Sequence, residues 1–275
     1  MVPNASFIRD LQETALALTA VVLIAATLVG NLFINASQSP AAESPKVSPK
    51  VPPVSTFAPI DDLVAQVDVY VDRIAKHLSN ADSYDDDAQL ALEREANTLI
   101  VLTQALGLHD KEHPLKSHAG KIIHAAKNLA GASEDYGKAT AALAAVDAAF
   151  KGEGDAHPLT WKKIASLGQI MEESSVIDAR LRRSIEPRRF ARRASRVKGE
   201  AVTLAAIAQA TLIDTHEVKN PAEVDTWYEY SKQMREASYN IYTGITTGNA
   251  KATGEAAERL TISCETCHEV FRDAE

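Results

Sequence analysis

The sequence predicts an all-α protein: two tandem up-down four-helix bundles behind an N-terminal transmembrane helix and a proline-rich tether. Three observations predict it. The 275 residues are rich in alanine, only 5% aromatic, and place most Gly and Pro between periodic segments, a composition that favours closely approaching helices. From residue 60 onward, apolar residues recur at intervals of three and four, the period of a half-buried helix. Ahead of them runs an uncharged apolar stretch and then a cluster of prolines.

Thr14 to Ile34 carries no charge and is about long enough to cross a bilayer core. It predicts a span over 14–36, with 1–13 as a cytoplasmic flank. Arg9, Asp10 and Glu13 give no clear positive bias before it, so the flanks do not set topology. A signal peptide cleaved after Ala36 or Ala41 is the alternative to a retained anchor. Residues 37–59 hold six prolines and read as an extended linker.

The first bundle is expected over 60–152. Leu63, Val67, Tyr70, Ile74 and Leu78 form its first stripe, and Leu92, Ala96, Leu99, Thr103 and Leu106 its second. Leu115, Ile122, Ala125 and Leu129 form a third. Tyr136, Ala139, Leu143, Val146 and Phe150 form a fourth, closed by Gly152 and Gly154. A second bundle is expected over 157–275, with Pro158 placed to open its first helix. Its stripes are Ile164, Leu167, Met171, Ser174 and Leu181; then Ala201, Ala205, Ala208, Leu212 and Thr215; then Trp227, Tyr230, Met234, Ala237 and Ile241; then Ala257, Leu260, Cys264, Cys267 and Phe271. Short connections between four helices suit an up-down bundle. The halves align as a duplication, with 141–152 over 258–269.

Net charge is −8, which argues against a nucleic-acid partner. Arg180 to Lys198 reverses the sign locally: nine basic residues and one acid, Glu186, give +8 and leave −16 on the remainder. That run predicts either a solvated segment between helices or a surface for an acidic redox partner or an anionic surface.

Both cysteines of the chain lie in Cys264-Glu265-Thr266-Cys267-His268. Cys-x-x-Cys-His is the attachment signature of a c-type haem. Two thiols one helical turn apart can each form a thioether to a porphyrin edge, and the following imidazole can ligate the iron. A redox dithiol and a zinc site are the alternatives. The first bundle has no cysteine, so the expected cofactor is one covalent haem c, held by the second bundle alone. His109, His113, His118 and His124 cluster in the first bundle. Imidazoles favour transition metals, but no helical pair with a carboxylate partner stands among them. His157 is close enough in sequence to the second bundle to reach a haem edge.

Residues 234–272, MREASYNIYTGITTGNAKATGEAAERLTISCETCHEVFR, resemble the C-terminal helix pair of cytochrome c prime. The resemblance implies a four-helix bundle with one haem near the end of its last helix. Cys264 and Cys267 match the thioether cysteines, His268 the proximal ligand, and Arg272 the basic residue one turn beyond it. The family covers the distal face with an apolar side chain from its first helix, where a related haem bundle supplies a methionine. Leu167 and Met171 share that stripe here. An apolar lid with an open sixth position is the expectation, and Met171 as distal ligand is the alternative.

Together these readings predict a membrane-tethered monohaem cytochrome that transfers electrons by Fe(II)/Fe(III) cycling and is not an enzyme. It would sit in the cytoplasmic membrane of a bacterium with its soluble part facing the periplasm. A nitric oxide or other diatomic gas binder is the first alternative. A helical interaction module with a largely structural haem is the second. A homodimer is one further partner allowed.

Overall fold

The computed structural model describes residues 50–154, 157–186 and 188–272. Among them the chain is helical, with eight α-helices: α1 Ile60–His77, α2 Asp86–Gly107, α3 Ala119–Ala130, α4 Tyr136–Phe150, α5 Leu167–Ser184, α6 Phe190–Ile213, α7 Val224–Thr246 and α8 Ala250–Phe271. They fall into two tandem sets of four, α1–α4 and α5–α8, as the periodicity predicts.

Local chemistry explains the ends. Asp61 and Asp62 open α1, and Lys76 and His77 close it, each sign matched to the helix dipole. Asp85, Asp135, Ser166 and Asn249 cap α2, α4, α5 and α8 by accepting a main-chain N–H three residues ahead, at Ala88, Lys138, Gln169 and Ala252 respectively, which satisfies donors the helix leaves open. The third helix of each set begins alike. A short 3-10 turn starts with His113-Pro114 before α3 and with Asn220-Pro221 before α7. In each, the side chain ahead of the proline accepts a main-chain N–H.

Two helices are buried nearly all round. α2 buries every residue from Glu95 to Leu106, and α6 buries Gly199 to Gln209. Sequence stripes at threes and fours predict one buried face, and these stretches are buried on every face. The cause is position: α2 packs on α1, α3, α5 and α6, and α6 packs on α1, α2, α5 and α7. The two sets therefore share one continuous apolar core.

Polar side chains buried on these central helices are spent on their neighbours. Asn97 Oδ1 accepts from the Ser166 N–H at 2.8 Å, and Gln104 Nε2 donates to the carbonyls of Thr160 and Lys162. They hold residues 157–166 in a non-helical path, so α5 begins at Leu167 and not at Pro158. At the seam between the sets, Glu173 is wholly buried. It accepts from Tyr70 at 2.7 Å, Arg94 at 2.8 Å and Arg180 at 3.0 Å, with Arg73 at 3.4 Å. Desolvation of such a charge is offset only when its lone pairs are filled this completely.

The chain enters the core before the proline-rich segment ends. Val54, Phe57 and Ala58 are buried, and Ser55 donates from its N–H and its hydroxyl to Asp110 at 2.8 and 2.6 Å.

The membrane part of the expected fold is corrected. Among the described residues no helix is long and apolar enough to cross a membrane. The longest, α6, carries Arg192, Arg193, Arg196, Lys198 and Glu200. The expected span 14–36, its flank 1–13 and most of the linker lie outside the described residues. A transmembrane anchor, a membrane partner and a location in a bacterial cytoplasmic membrane facing the periplasm thus have no helix to rest on among the described residues.

Candidate ligand-binding site

α8 packs on α7, and its last turns face α5 and α6 across open space. Gly244 of α7 makes the approach possible, since a Cβ there would run into the backbone and hydroxyl of Thr253 on α8. Thr253 is buried at that crossing. Farther along α8, at the end remote from this crossing, the helices leave room. A cavity of about 190 Å³ opens between Met171, Ser174 and Asp178 of α5, Leu204 and Thr211 of α6, Ser231 and Met234 of α7, and Leu260, Cys264, Cys267 and His268 of α8. A second cavity of about 390 Å³ adjoins it, lined by Leu167, Trp227, Phe271 and Arg272. Met171, Cys267 and His268 line both.

All six residues singled out from sequence therefore meet here. Cys264 faces the smaller cavity, Leu167 and Arg272 the larger, and Met171, Cys267 and His268 form the partition. Phe271 stands edge-on to Trp227, ring centres 5.0 Å apart. The Trp227 indole donates to the Thr211 carbonyl at 2.8 Å. That pair props the floor of the larger cavity open.

Two polar groups on the wall of the smaller cavity have no hydrogen-bond partner: Asp178 Oδ1 and Ser231 Oγ. The other Asp178 oxygen accepts from Arg182 at 2.7 Å, and Arg182 also donates to Thr261 at 2.7 Å. Ser231 is 3% exposed. Orphaned buried polar atoms are costly and mark places where another molecule completes the set. Sequence reading passed over both, although each had a signal. Asp178 lies seven residues after Met171, and Ser231 four after Trp227, so each shares its neighbour's helical face.

Burial pushes both thiols up to about 11, with Asp178 adding to the rise at Cys264 and Cys264 adding to it at Cys267. Both are protonated at neutral pH and are poor nucleophiles and poor metal ligands in that state. Burial and the Arg272 charge lower His268, leaving a neutral imidazole.

The cofactor expectation is corrected on the donor set. Among the described residues no group of three or more His, Cys, Asp or Glu could hold a metal ion. No second imidazole or carboxylate joins His268 and the two neutral thiols in such a group. The covalent haem c, the electron carrier built on it, the gas-binding alternative, the structural-haem module and the iron-ligand role of Met171 that depended on it are withdrawn on that finding. The histidines of the first set are occupied otherwise. His109 is buried, accepts from the Lys111 N–H at 2.9 Å through Nδ1 and so donates through Nε2 to Ala58 O at 3.0 Å. His118 bonds the Phe150 carbonyl. His124 packs on His157, ring centres 4.7 Å apart, which places His157 against α3 and away from the α8 cavities.

The partner expectations are corrected too. The run Arg180 to Lys198 is not one open cationic field for an acidic redox partner or an anionic surface, because five of its nine basic residues are tied to acids. Arg180 and Arg196 are tied to Glu200, Arg182 to Asp178, Arg189 to Glu186 and Lys198 to Asp62. A homodimer has no apolar face to form on among the described residues, since the large exposed apolar side chains are Val69, Leu90, Ile262 and Val270, single residues of the kind any surface carries.

Comparison with family models, with curated proteins and with solved structures found no match.

Proposed function

We propose that the second helical set is a binding bundle for a small, largely apolar molecule that carries a hydroxyl or amine. The observation that carries this is a mostly apolar cavity of about 190 Å³ among whose lining residues Asp178 and Ser231 each keep a buried polar atom, Oδ1 and Oγ, without a hydrogen-bond partner. Cavities of roughly 150 Å³ lined by apolar side chains take up benzene-sized molecules. A donor on such a molecule would satisfy Asp178, and Ser231 can donate or accept. Cys264, Cys267, His268, Met171, Leu167 and Arg272 are the lining residues of the site and of its larger neighbour. Binding without catalysis is the reading, because the nearby thiols are held protonated.

Phenol and toluene are suitable probes, alike in size and different in one hydroxyl. Titration of the full chain, read by Trp227 environment and by calorimetry, should give saturable binding with phenol preferred. Ser231→Leu, which fills the cavity, should abolish it. Absence of saturation, or unchanged binding in Ser231→Leu with the fold intact, overturns the reading. So does a coloured denatured chain heavier than its sequence, because the two thiols would then be spent on a covalent group.

A further inference from the structure

A third cavity, separate from the two at the end of α8, lies where the last turns of α5 face the first turns of α6. Arg180, Arg183, Arg189, Arg193 and Arg196 line it with Ser184, around about 120 Å³. The sequence places them there by period. Arg180 and Arg183 are three apart on α5. Arg189 immediately precedes α6, and Arg193 and Arg196 follow at four and seven, all on one helical face.

Five guanidiniums around one small space repel one another, and the pairing acids do not balance them. Glu200 accepts from Arg180 at 3.1 Å and from Arg196 at 2.9 Å, so one carboxylate serves two cations. Glu173 takes the other end of Arg180 but also serves Arg73 and Arg94. Glu186 stands 3.6 Å from Arg189. Arg183 and Arg193 have no acid partner among the described residues. Both are exposed, so water bears their charge in the absence of a ligand. The start of α6 adds the positive end of a 24-residue helix to the same space.

We propose that this cavity binds a tetrahedral phosphoryl group, as free phosphate or as the end of a phosphate monoester. A planar guanidinium offers two parallel donors to an oxyanion, and facing stripes on two helices let Arg183 and Arg193 approach it from opposite sides. Arg180 and Arg196, fixed from behind by Glu200, are pre-organised in the wall. The cavity suits a compact anion and is too small for a chain segment. The site is independent of the α8 cavity, and neither proposal depends on the other.

The test is calorimetric titration of the full chain at constant ionic strength with inorganic phosphate and, separately, with glycerol 3-phosphate. Saturable one-to-one binding of either supports the site, and tighter binding of the ester assigns it to monoesters. Chloride raised to the same ionic strength should not compete. The double variant Arg183→Gln/Arg193→Gln should weaken binding about a hundredfold, on the basis of about tenfold for each charge-assisted contact. Arg188→Gln/Arg192→Gln removes the same charge outside the cavity and should leave affinity within about threefold. Thermal unfolding of both variants checks that the fold is kept. Absence of saturation overturns the proposal, as does an equal loss in the two double variants, which would show general charge and no site.

Discussion

α4 and α8 hold the same place in their respective sets, yet their last turns are finished differently. α4 buries Ala139, Val146 and Ala149 and is sealed by donors from α3 and the turn before it. His118 bonds the Phe150 carbonyl, and Lys121 bonds that of Gly152. α8 buries Thr253, Ala256, Ala257, Leu260 and Ser263, but its final turns leave Cys264 and Cys267 half-buried against open space. Phe271 is held off by the edge of Trp227. The same topological end can thus be closed by side chains bonding to backbone or kept open by aromatic props. Small side chains on α4 permit the first solution, and large ones on α7 and α8 enforce the second.

The largest effect should come from the seam that both sets share. Glu173→Ala leaves Arg73, Arg94 and Arg180 without their common acid and should cost about 3–5 kcal/mol, read from the urea midpoint. A loss below about 1 kcal/mol would mean the sets do not depend on this junction. Next, Leu129→Ala in the sealed set and Leu260→Ala beside the cavity should differ. Both residues are at most 1% exposed, and such changes cost about 2–5 kcal/mol. Leu129 should fall near the top of that range and Leu260 near the bottom, because Leu260 already faces missing contacts. Equal losses would remove the distinction between a closed and an open end.

A pH dependence belongs to the first set. Burial lifts the Glu95 carboxyl from 4.5 to about 7, and His77 lies 3.2 Å away. Between those values the folded chain keeps a proton that the unfolded chain releases. Stability therefore falls as pH rises from about 4.5 to about 7, by up to about 3 kcal/mol. Burial lowers His77, so its contribution has the opposite sign: holding it unprotonated costs stability at low pH, and that cost is relieved as pH rises toward its ordinary 6.5. Glu95→Gln should abolish the fall and leave the His77 rise. A slope that survives Glu95→Gln would assign the proton elsewhere. The smallest effect tests the likeness of the sets. His113→Ala and Asn220→Ala each remove one cap ahead of a proline and should cost about 0.5–1 kcal/mol apiece, in near-equal amounts if the two turns are equivalent.

How far these features could be read in the sequence depended on what fixes each. The stripe Leu63 to Ile74 became the buried face of α1, because one face of an outer helix meets the core and the period alone decides it. The placement of Cys264, Cys267, His268 and Met171 at one bundle end also followed from period and antiparallel order. The all-round burial of α2 and α6 did not, because it is set by neighbours distant in sequence. The late start of α5 at Leu167 came from the same source, since Asn97 and Gln104 reach across from α2 to hold the preceding segment. The charge of Arg180 to Lys198 was visible as a sum but not as partners, because Glu173 and Glu200 lie outside or just beyond the run and remove part of it from the surface.

The central position of α6 has a consequence for how the chain is made. Glu173 gathers Tyr70 and Arg94 from residues made early, and Gly199 of α6 fits against Gln66 of α1. During synthesis the first set can gather its own helices, yet α1 and α2 keep a face with nothing on it until α6 has emerged about a hundred residues later, a delay of several seconds at ordinary elongation rates. In that interval the nascent chain is a substrate for chaperones and proteases, and its arrival at a finished core is set by the ribosome and not by the folding of the first half.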